Sequence, residues 1–410
     1  MTRTERTYYV VTCLYRIAWA SLGPTYALFL LSRGLDLLQI NLVLATYLVT
    51  TCVFEIPTGA VADVFGRKAS FVLSCVVRGI AFGMYYFSET FAAFLVAEFI
   101  DAIGTTLATG ALDAWAVDGV RADGDKRPAD RLFARGQIIG QSSMIASGLL
   151  ITLGLAHDIE LAWLVGAAGF FTCGIVGALI MREPPRSTPH TAAGPTSVPM
   201  MVREAMAAVR DVPAMRGLCV MTAAIMFATV PAFHMWQPRL TELAGAGASV
   251  AAWVWVALSL ASLAGSALIP RLVPRFGRAR TLTAAIVWRA VMLGIAGAAG
   301  GFPLAAVTFI LQEMGFGFGE PVMQAWMNEH ATAERRATML SVRSMSFTLG
   351  GGAGLVVLGL LARATDIGLA WMVSAALLAL VAPGFLLFER EKSFTAETPR
   401  RGEAPEFKLP

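Results

Sequence analysis

The sequence predicts an all-α membrane protein with 12 transmembrane helices in two pseudo-symmetric six-helix bundles. Three observations point there: an apolar composition, a series of apolar segments of membrane length, and a repeat relating the two halves. The chain has 410 residues, 56% of them hydrophobic and 15% charged, with a mean hydropathy of +0.65. A soluble domain carries about a quarter charged residues, so this composition fits a lipid bilayer as its main surrounding. The net charge of +4 is modest and unevenly placed, which gives no footing for a nucleic-acid partner.

A membrane span needs about 20 mostly apolar residues. Such stretches cover residues 8–31, 39–61, 69–88, 91–117, 134–156, 160–181, 214–238, 249–270, 280–299, 302–327, 339–361 and 367–388. The first is too long for a signal-peptide core and lacks a small-residue cleavage site, so it reads as the first span. Between the sixth and seventh lie Pro184, Pro185, Pro189, Pro195 and Pro199 among Ser, Thr and Gly, a linker composition. Residues 200–211 put Val202, Met206 and Val209 on one helical face and Arg203 and Arg210 on another. That pattern suits a short interfacial helix or a plain solvated one. The expected division is a first bundle over 1–183, a linker over 184–213, a second bundle over 214–390 and a polar tail over 391–410. Cys13, Cys52, Cys75, Cys173 and Cys219 all fall in or at the ends of apolar segments without metal-ligand spacing. They read as small reduced hydrophobes, and no metal or cofactor is expected.

Charge placement predicts orientation. If the N-terminus is cytoplasmic, the 32 Lys and Arg all fall on the cytoplasmic side except Arg33, Arg239 and Arg363 outside and Arg16, Arg78 and Arg289 within spans. Positive charge gathers on the cytoplasmic side of membrane proteins, so both termini are expected there, in a multi-pass protein of a plasma (inner) membrane.

The turn between the second and third segments reads Gly59-Ala-Val-Ala-Asp63-Val-Phe-Gly66-Arg67-Lys68. At an offset of 211 residues Phe65-Gly66-Arg67 matches Phe276-Gly277-Arg278. The same offset lays Gly104 on Gly315, Ala114-Trp115 on Ala325-Trp326, and Asp118 on Glu329. The second copy of the turn has Pro274 where Asp63 stands. The G-x-x-x-D-x-x-G-R-K turn and the paired six-helix halves resemble the major facilitator superfamily, in general pattern its bacterial drug/proton antiporters, over residues 8–390. The halves of that fold are related by an axis along the membrane normal.

The resemblance implies a cytoplasmic latch. Asp63 would cap the helix carrying Arg343, and Arg67, beside Lys68, would pair with Asp118. Gly59 and Gly66 would allow close approach and a tight turn, and Arg278 with Glu329 would be the weaker counterpart. These residues read otherwise as solvated loop charges.

Ionisable groups inside a span cost several kcal/mol unless paired or wetted, so each is a functional candidate. Glu98 and Asp101 lie three apart on one face of the fourth span. Glu313 sits at equivalent depth in the tenth, with Glu320 two turns further in. The resemblance implies that spans 1, 4, 7 and 10 line a central cavity, where such acids could take up and release protons as the cavity changes sides. Asp101 and Glu313 lead as proton-coupling candidates, with Glu98 and Glu320 behind them. The alternative is salt bridges within the bundle, Arg78 with Glu98 or Asp101 and Arg289 with Glu313. Arg16 and Glu55 could pair with each other.

Trp19, Tyr26, Trp115, Phe227, His234, Phe316, Met323 and Trp326 fall on the cavity-forming spans. They suit flat, lipophilic or cationic ligands, or they simply pack between helices. Two features depart from drug antiporters. Those carry an Arg followed by Gln-Gly early in span 4, where this chain reads Ile100-Asp101-Ala102-Ile103-Gly104, and a Gly-Pro pair in span 5, where it has Gly136, Gly140 and Gly148 without Pro.

The expected function is export of a small amphiphilic compound in exchange for protons by alternating access, by a monomer. The rival is a proton- or ion-coupled importer in which Arg16, Arg78 and Arg289 hold an anion; a non-transporting membrane sensor comes behind. There is no G-x-x-x-x-G-K-[ST] loop to cradle phosphates, so direct ATP hydrolysis and enzyme activity are not expected.

Overall fold

The computed structural model describes residues 1–109, 111–124, 130–155, 157–183, 213–330 and 336–387. The linker with its amphipathic segment and the C-terminal tail lie outside the described residues. Among the described residues there are helices and no strands. We number the helices α1 (Arg3–Ala20), α2 (Tyr26–Ser32), α3 (Leu37–Phe65), α4 (Arg67–Phe87), α5 (Phe91–Ala108), α6 (Ala111–Ala122), α7 (Asp130–Gly154) and α8 (Leu161–Ile180). After the linker come α9 (Pro213–His234), α10 (Trp236–Ala244), α11 (Ala248–Ser266), α12 (Ile269–Phe276), α13 (Arg278–Ala298), α14 (Phe302–His330), α15 (Arg336–Ala364) and α16 (Ile367–Val381).

Counting helices that follow one another across a short break as one rod joins α1–α2, α5–α6, α9–α10 and α11–α12. Twelve rods result, as the apolar segments predict. Among the described residues ten helices are long and apolar enough to cross a membrane, and the bent α9–α10 pair makes an eleventh. The α1–α2 rod does not qualify by that measure. It carries Arg3, Glu5, Arg6 and Arg16 and is divided at Ser21–Thr25, where Pro24 has no N–H to give to a continuous helix.

The two halves repeat one packing scheme. In the first, α4 packs on α5 and α8, and α1 on α7 and α8; in the second, α13 packs on α14 and α16, and α9 on α15 and α16. Between the halves α3 packs on α15 and α7 on α11. Each half has its own buried apolar clusters, with Phe82, Trp163 and Phe170 in the first and Trp236, Phe309 and Trp371 in the second.

Glycines set the closest approaches. A Cβ at Gly350 or Gly354 of α15 would strike the backbone of Ala223 or Phe227 in α9, and one at Gly265 or Gly317 would strike backbone across the α11–α14 contact. Small residues let membrane helices meet at this range. Gly136 and Gly140 of α7 do the same for the Tyr8 ring and the Arg16 stem. Gly59 has no atom of the described residues within 4 Å of the place a Cβ would take.

The α3–α4 turn is held by a residue the motif does not contain. Gly66 has φ 99°, a conformation that costs a residue with a Cβ. Just past it the Arg67 and Lys68 amides donate to the two carboxylate oxygens of Glu183, each at 2.9 Å. A carboxylate there satisfies two of the unpaired donors at the start of α4 and meets the positive end of its dipole. Asp36 does the same for α3, accepting from the Gln39 amide at 2.9 Å while Gln39 returns a bond to the Asp36 amide at 3.0 Å.

Gly66→Ala would combine a disfavoured φ with a methyl about 3.0 Å from the Glu183 carboxylate. The expected cost is about 1–2 kcal/mol, read as a lower Tm of the purified protein in detergent. An unchanged Tm would show that the turn relaxes freely.

Candidate substrate cavity

A cavity of about 230 Å³ opens between the halves, lined among others by Trp19, Tyr26, Tyr47, Tyr85, Trp163, His234 and Trp255, with Arg78, Glu98 and Asp101 on its first-half wall. Three of its aromatic rings pack together. The Tyr85 and Trp163 rings stack at 3.9 Å and 7°, and Tyr26 lies 6.0 Å from Trp163 and 6.2 Å from Tyr85.

The three charges play two different parts. Arg78 on α4 donates from Nε to Asp101 Oδ1 at 2.8 Å and from its second terminal nitrogen to Oδ2 at 3.0 Å. The first terminal nitrogen donates to the Tyr15 hydroxyl at 2.9 Å. The Phe170 ring lies 4.5 Å from the guanidinium carbon. Arg78 is 2% and Asp101 6% exposed, so this is a desolvated two-point pair with its charge consumed. Glu98, 5% exposed, has no such partner among the described ion pairs. Tyr85 donates a short hydrogen bond to its Oε2, and Tyr26 reaches the same oxygen at 3.5 Å. One carboxylate in this wall is therefore neutralised by a cation, and the other is held by phenols.

The second half repeats the centre with the charge altered. The 211-residue offset lays Arg78 on Arg289, Asp101 on Gln312, and Glu98 on Phe309. Arg289 donates to Gln312 Oε1 at 3.2 Å, and Gln312 Nε2 donates to Glu313 at 2.6 Å. Gly104 and Gly315 lie under the Arg78 and Arg289 stems respectively. Phe309 stacks on Trp371 at 4.6 Å. Glu313 is thus buried behind Gln312 and is not among the residues lining the cavity. Glu320 pairs with Arg343 beside a smaller hollow of about 40 Å³ that also touches Arg289, Phe316 and Met323.

Other expected residues fall elsewhere. Trp115 lies away from the cavity: its indole donates to the Arg182 carbonyl at 2.8 Å, and it packs with Tyr8, Phe71 and Cys173. Phe227 is half-buried on α9 and is not among the lining residues. Arg67 does pair with Asp118 and also donates to the Ala114 carbonyl at 2.7 Å. The Arg343 link to Glu320 lies within the second half, so the guanidinium is committed there; the Asp63 side chain lies outside the described residues, as do those of Trp326 and Glu329. Arg278 opens α13. No Arg16–Glu55 pair occurs among the described ion pairs: Arg16 is exposed, one turn from Trp19 along α1, and its nearest polar contact is Met144 sulfur at 3.9 Å.

At the end of the bundle away from the linker the halves are stitched together. Gln237 of α10 bonds to the Ala27 amide at 2.7 Å and the Gly23 carbonyl at 2.8 Å. Arg363 lies 3.4 Å from Asp36, and Trp255 wedges between Gly23 and Gly148. Gln237, Gln312, Tyr85, Trp163, Trp255 and Glu183 make contacts in or around the candidate site that the sequence motifs miss. For Gln312 a signal exists, since the offset that aligns the two turns also aligns it with Asp101.

The model of the Major Facilitator Superfamily matches residues 8–247 and 235–410. The chain belongs to the Major Facilitator Superfamily. A curated relative, the uncharacterized MFS-type transporter YxaM of Bacillus subtilis (strain 168), is 27% identical over 164 residues, which are 38% of this chain and 40% of the relative. The match thus spans about 40% of that relative's length. Among solved structures, the nucleoside transporter NupG aligns with a TM-score of 0.80 at 15% identity, covering 95% of this chain and 100% of that one. A bacterial homolog of the human lysosomal transporter Spinster, inward-facing and unoccupied, gives 0.72 at 15%, covering 94% and 96%. A D-xylose–proton symporter gives 0.70 at 13%, covering 94% and 97%. At these identities the likeness is one of fold. As a member of this superfamily the chain is a multi-pass membrane protein.

Breaking a buried ion pair by removing one partner costs about 3–5 kcal/mol. Arg78→Met should therefore lower the Tm of the detergent-purified protein sharply, while Arg78→Met with Asp101→Leu should recover most of the loss. If the single variant melts like the parent, the pair does not organise this wall.

Proposed function

We propose that this transporter exports a small amphiphilic compound from the cytoplasm in exchange for protons, by alternating access to the aromatic cavity. The observation that carries the reading is the unequal pair of acids. Asp101 is bound at both oxygens by Arg78, which favours a structural part for it over the leading place among coupling groups. Glu313 loses its place too, because Gln312 stands between it and Arg289 and it does not line the cavity. Glu98 remains, in the cavity wall and held by phenols alone. A carboxylate that no cation neutralises in a low-dielectric site is the group whose protonation changes most when water or cargo enters and leaves.

With Arg78 and Asp101 cancelling, an ionised Glu98 leaves this wall with one net negative charge. A cargo with an aromatic or cationic face would then compete with a proton for the same place, which is the condition for exchange. Positive charge gathered at the linker end supports placing that end in the cytoplasm, in a plasma membrane, with the Gln237 end outside. The importer reading retains one observation, the exposed Arg16 one turn from the cavity-lining Trp19, because Arg78 is paired with Asp101 and Arg289 is not among the lining residues.

The test is accumulation of fluorescent dyes and labelled metabolites in cells with and without the protein, with and without a proton uncoupler. Export predicts faster loss of at least one compound, abolished by the uncoupler; uncoupler-sensitive uptake would sink the reading. Glu98→Gln should remove the uncoupler-sensitive flux while leaving the protein folded and in the membrane. Glu313→Gln should leave that flux in place.

A further inference from the structure

Gly23 and Ala27 are four residues apart, the spacing at which a helix bonds an amide to a carbonyl. In the first rod that bond is replaced. The Gln237 side chain occupies its place with both ends of its amide: Oε1 accepts from the Ala27 N–H at 2.7 Å, and Nε2 donates to the Gly23 carbonyl at 2.8 Å. One side chain from the opposite half thus completes two backbone groups that the break at Pro24 leaves open. Gln237 is 6% exposed, and it follows a 40° bend between α9 and α10. The 211-residue offset lays Tyr26 on Gln237. These two counterparts have opposite tasks. Tyr26 turns into its own half, 3.1 Å from the Tyr85 hydroxyl and 3.5 Å from Glu98 Oε2, and Gln237 crosses to the other half one residue away, at Ala27.

Separating the halves at this end would strip Gln237 from both backbone groups. Backbone groups without partners are unfavourable, so the first rod has a reason to straighten and re-form its own bond from Ala27 to Gly23. Straightening turns α2 about its axis and carries Tyr26 with it. We propose that Gln237 is a positioning residue of the gate: its amide substitutes for the missing helix bond of α1–α2, so that opening this end and withdrawing Tyr26 from Glu98 are one event. The inference deepens the proton-exchange reading by naming what links the gate to the acid, and it rests on that reading only for its use in transport.

Two measurements on the full chain test it without any cargo. The first is the distance between spin labels on Ser32→Cys and Ala246→Cys, with Cys13, Cys52 and Cys219 replaced by Ser and the buried Cys75 and Cys173 retained. The closed gate should give one short distance. Gln237→Ala should raise the ratio of open to closed populations about tenfold, as expected for the net loss of about one or two hydrogen bonds. Gln237→Glu, which keeps an acceptor for Ala27 but cannot donate to Gly23 when ionised, should open it less. The second is the infrared band of the protonated carboxyl that disappears in Glu98→Gln. Gln237→Ala should shift that band in the direction that Tyr26→Phe does.

An unchanged distance distribution in a folded Gln237→Ala protein overturns the gate role. If that variant does not fold, the Gln237→Glu distribution decides instead, and no opening there overturns it as well. An opened gate with an unmoved Glu98 band overturns the link to the acid. Failure of the export reading would appear in the flux assays and leave both of these results standing.

Discussion

The buried pair of Arg78 and Asp101 is the interaction on which the first half depends. A guanidinium in a bilayer must find acceptors, and this one takes both oxygens of Asp101 and the hydroxyl of Tyr15. In doing so it fixes α4 against α5 and reaches α1. Gly104 is glycine because the Arg78 stem passes where a Cβ would stand. Phe82 and Phe170 close over the cation at 5.7 and 4.5 Å. The arrangement also decides the chemistry of its neighbour: with Arg78 spent on Asp101, Glu98 is left to hydroxyls.

The second half shows what the same scaffold becomes when a few side chains change. Arg289 and Gly315 keep the places of Arg78 and Gly104, but Gln312 replaces the acid and accepts at 3.2 Å. Phe309 replaces Glu98 and stacks on Trp371, while in the first half Tyr85 stacks on Trp163 and bonds to Glu98. Pro274 replaces Asp63 in the turn. The duplication keeps its packing and places Arg78, Glu98 and Asp101 of the cavity wall in one copy. The asymmetry of such a site lies in a few side chains, not in the helices that carry them.

The fold was legible because lipid leaves few solutions. Apolar runs of about 20 residues can only be helices there, and a repeated turn relates them in two sets. The Arg67–Asp118 pair was legible from the family resemblance and is present. The cavity was only partly so. Trp19, Tyr26, His234, Glu98 and Asp101 line it, whereas Trp115 faces the Arg182 carbonyl and Glu313 lies behind Gln312. Helical spacing tells which residues share a face, but not which of two neighbouring acids an arginine will reach. That choice turns on rotamers and on where a glycine leaves room. Gln237 was illegible for a different reason: its partners are backbone groups, and a broken helix bond carries no side-chain signature.

The glycine contacts of the second half bear on how such a molecule can move. Where Gly350 and Gly354 set α15 directly on the α9 backbone, and Gly265 and Gly317 join α11 to α14, no long side chain stands between the rods to bend or re-pack. Such seams have almost no give. A bundle joined by them turns as a solid piece, and whatever deformation a working cycle needs is displaced to places where the main chain is already interrupted. The breaks at Pro24 and Met235 are two such places. Stiffness in one set of contacts thereby assigns compliance to another, and the hinges of this protein are chosen partly by glycines that lie far along the chain from them.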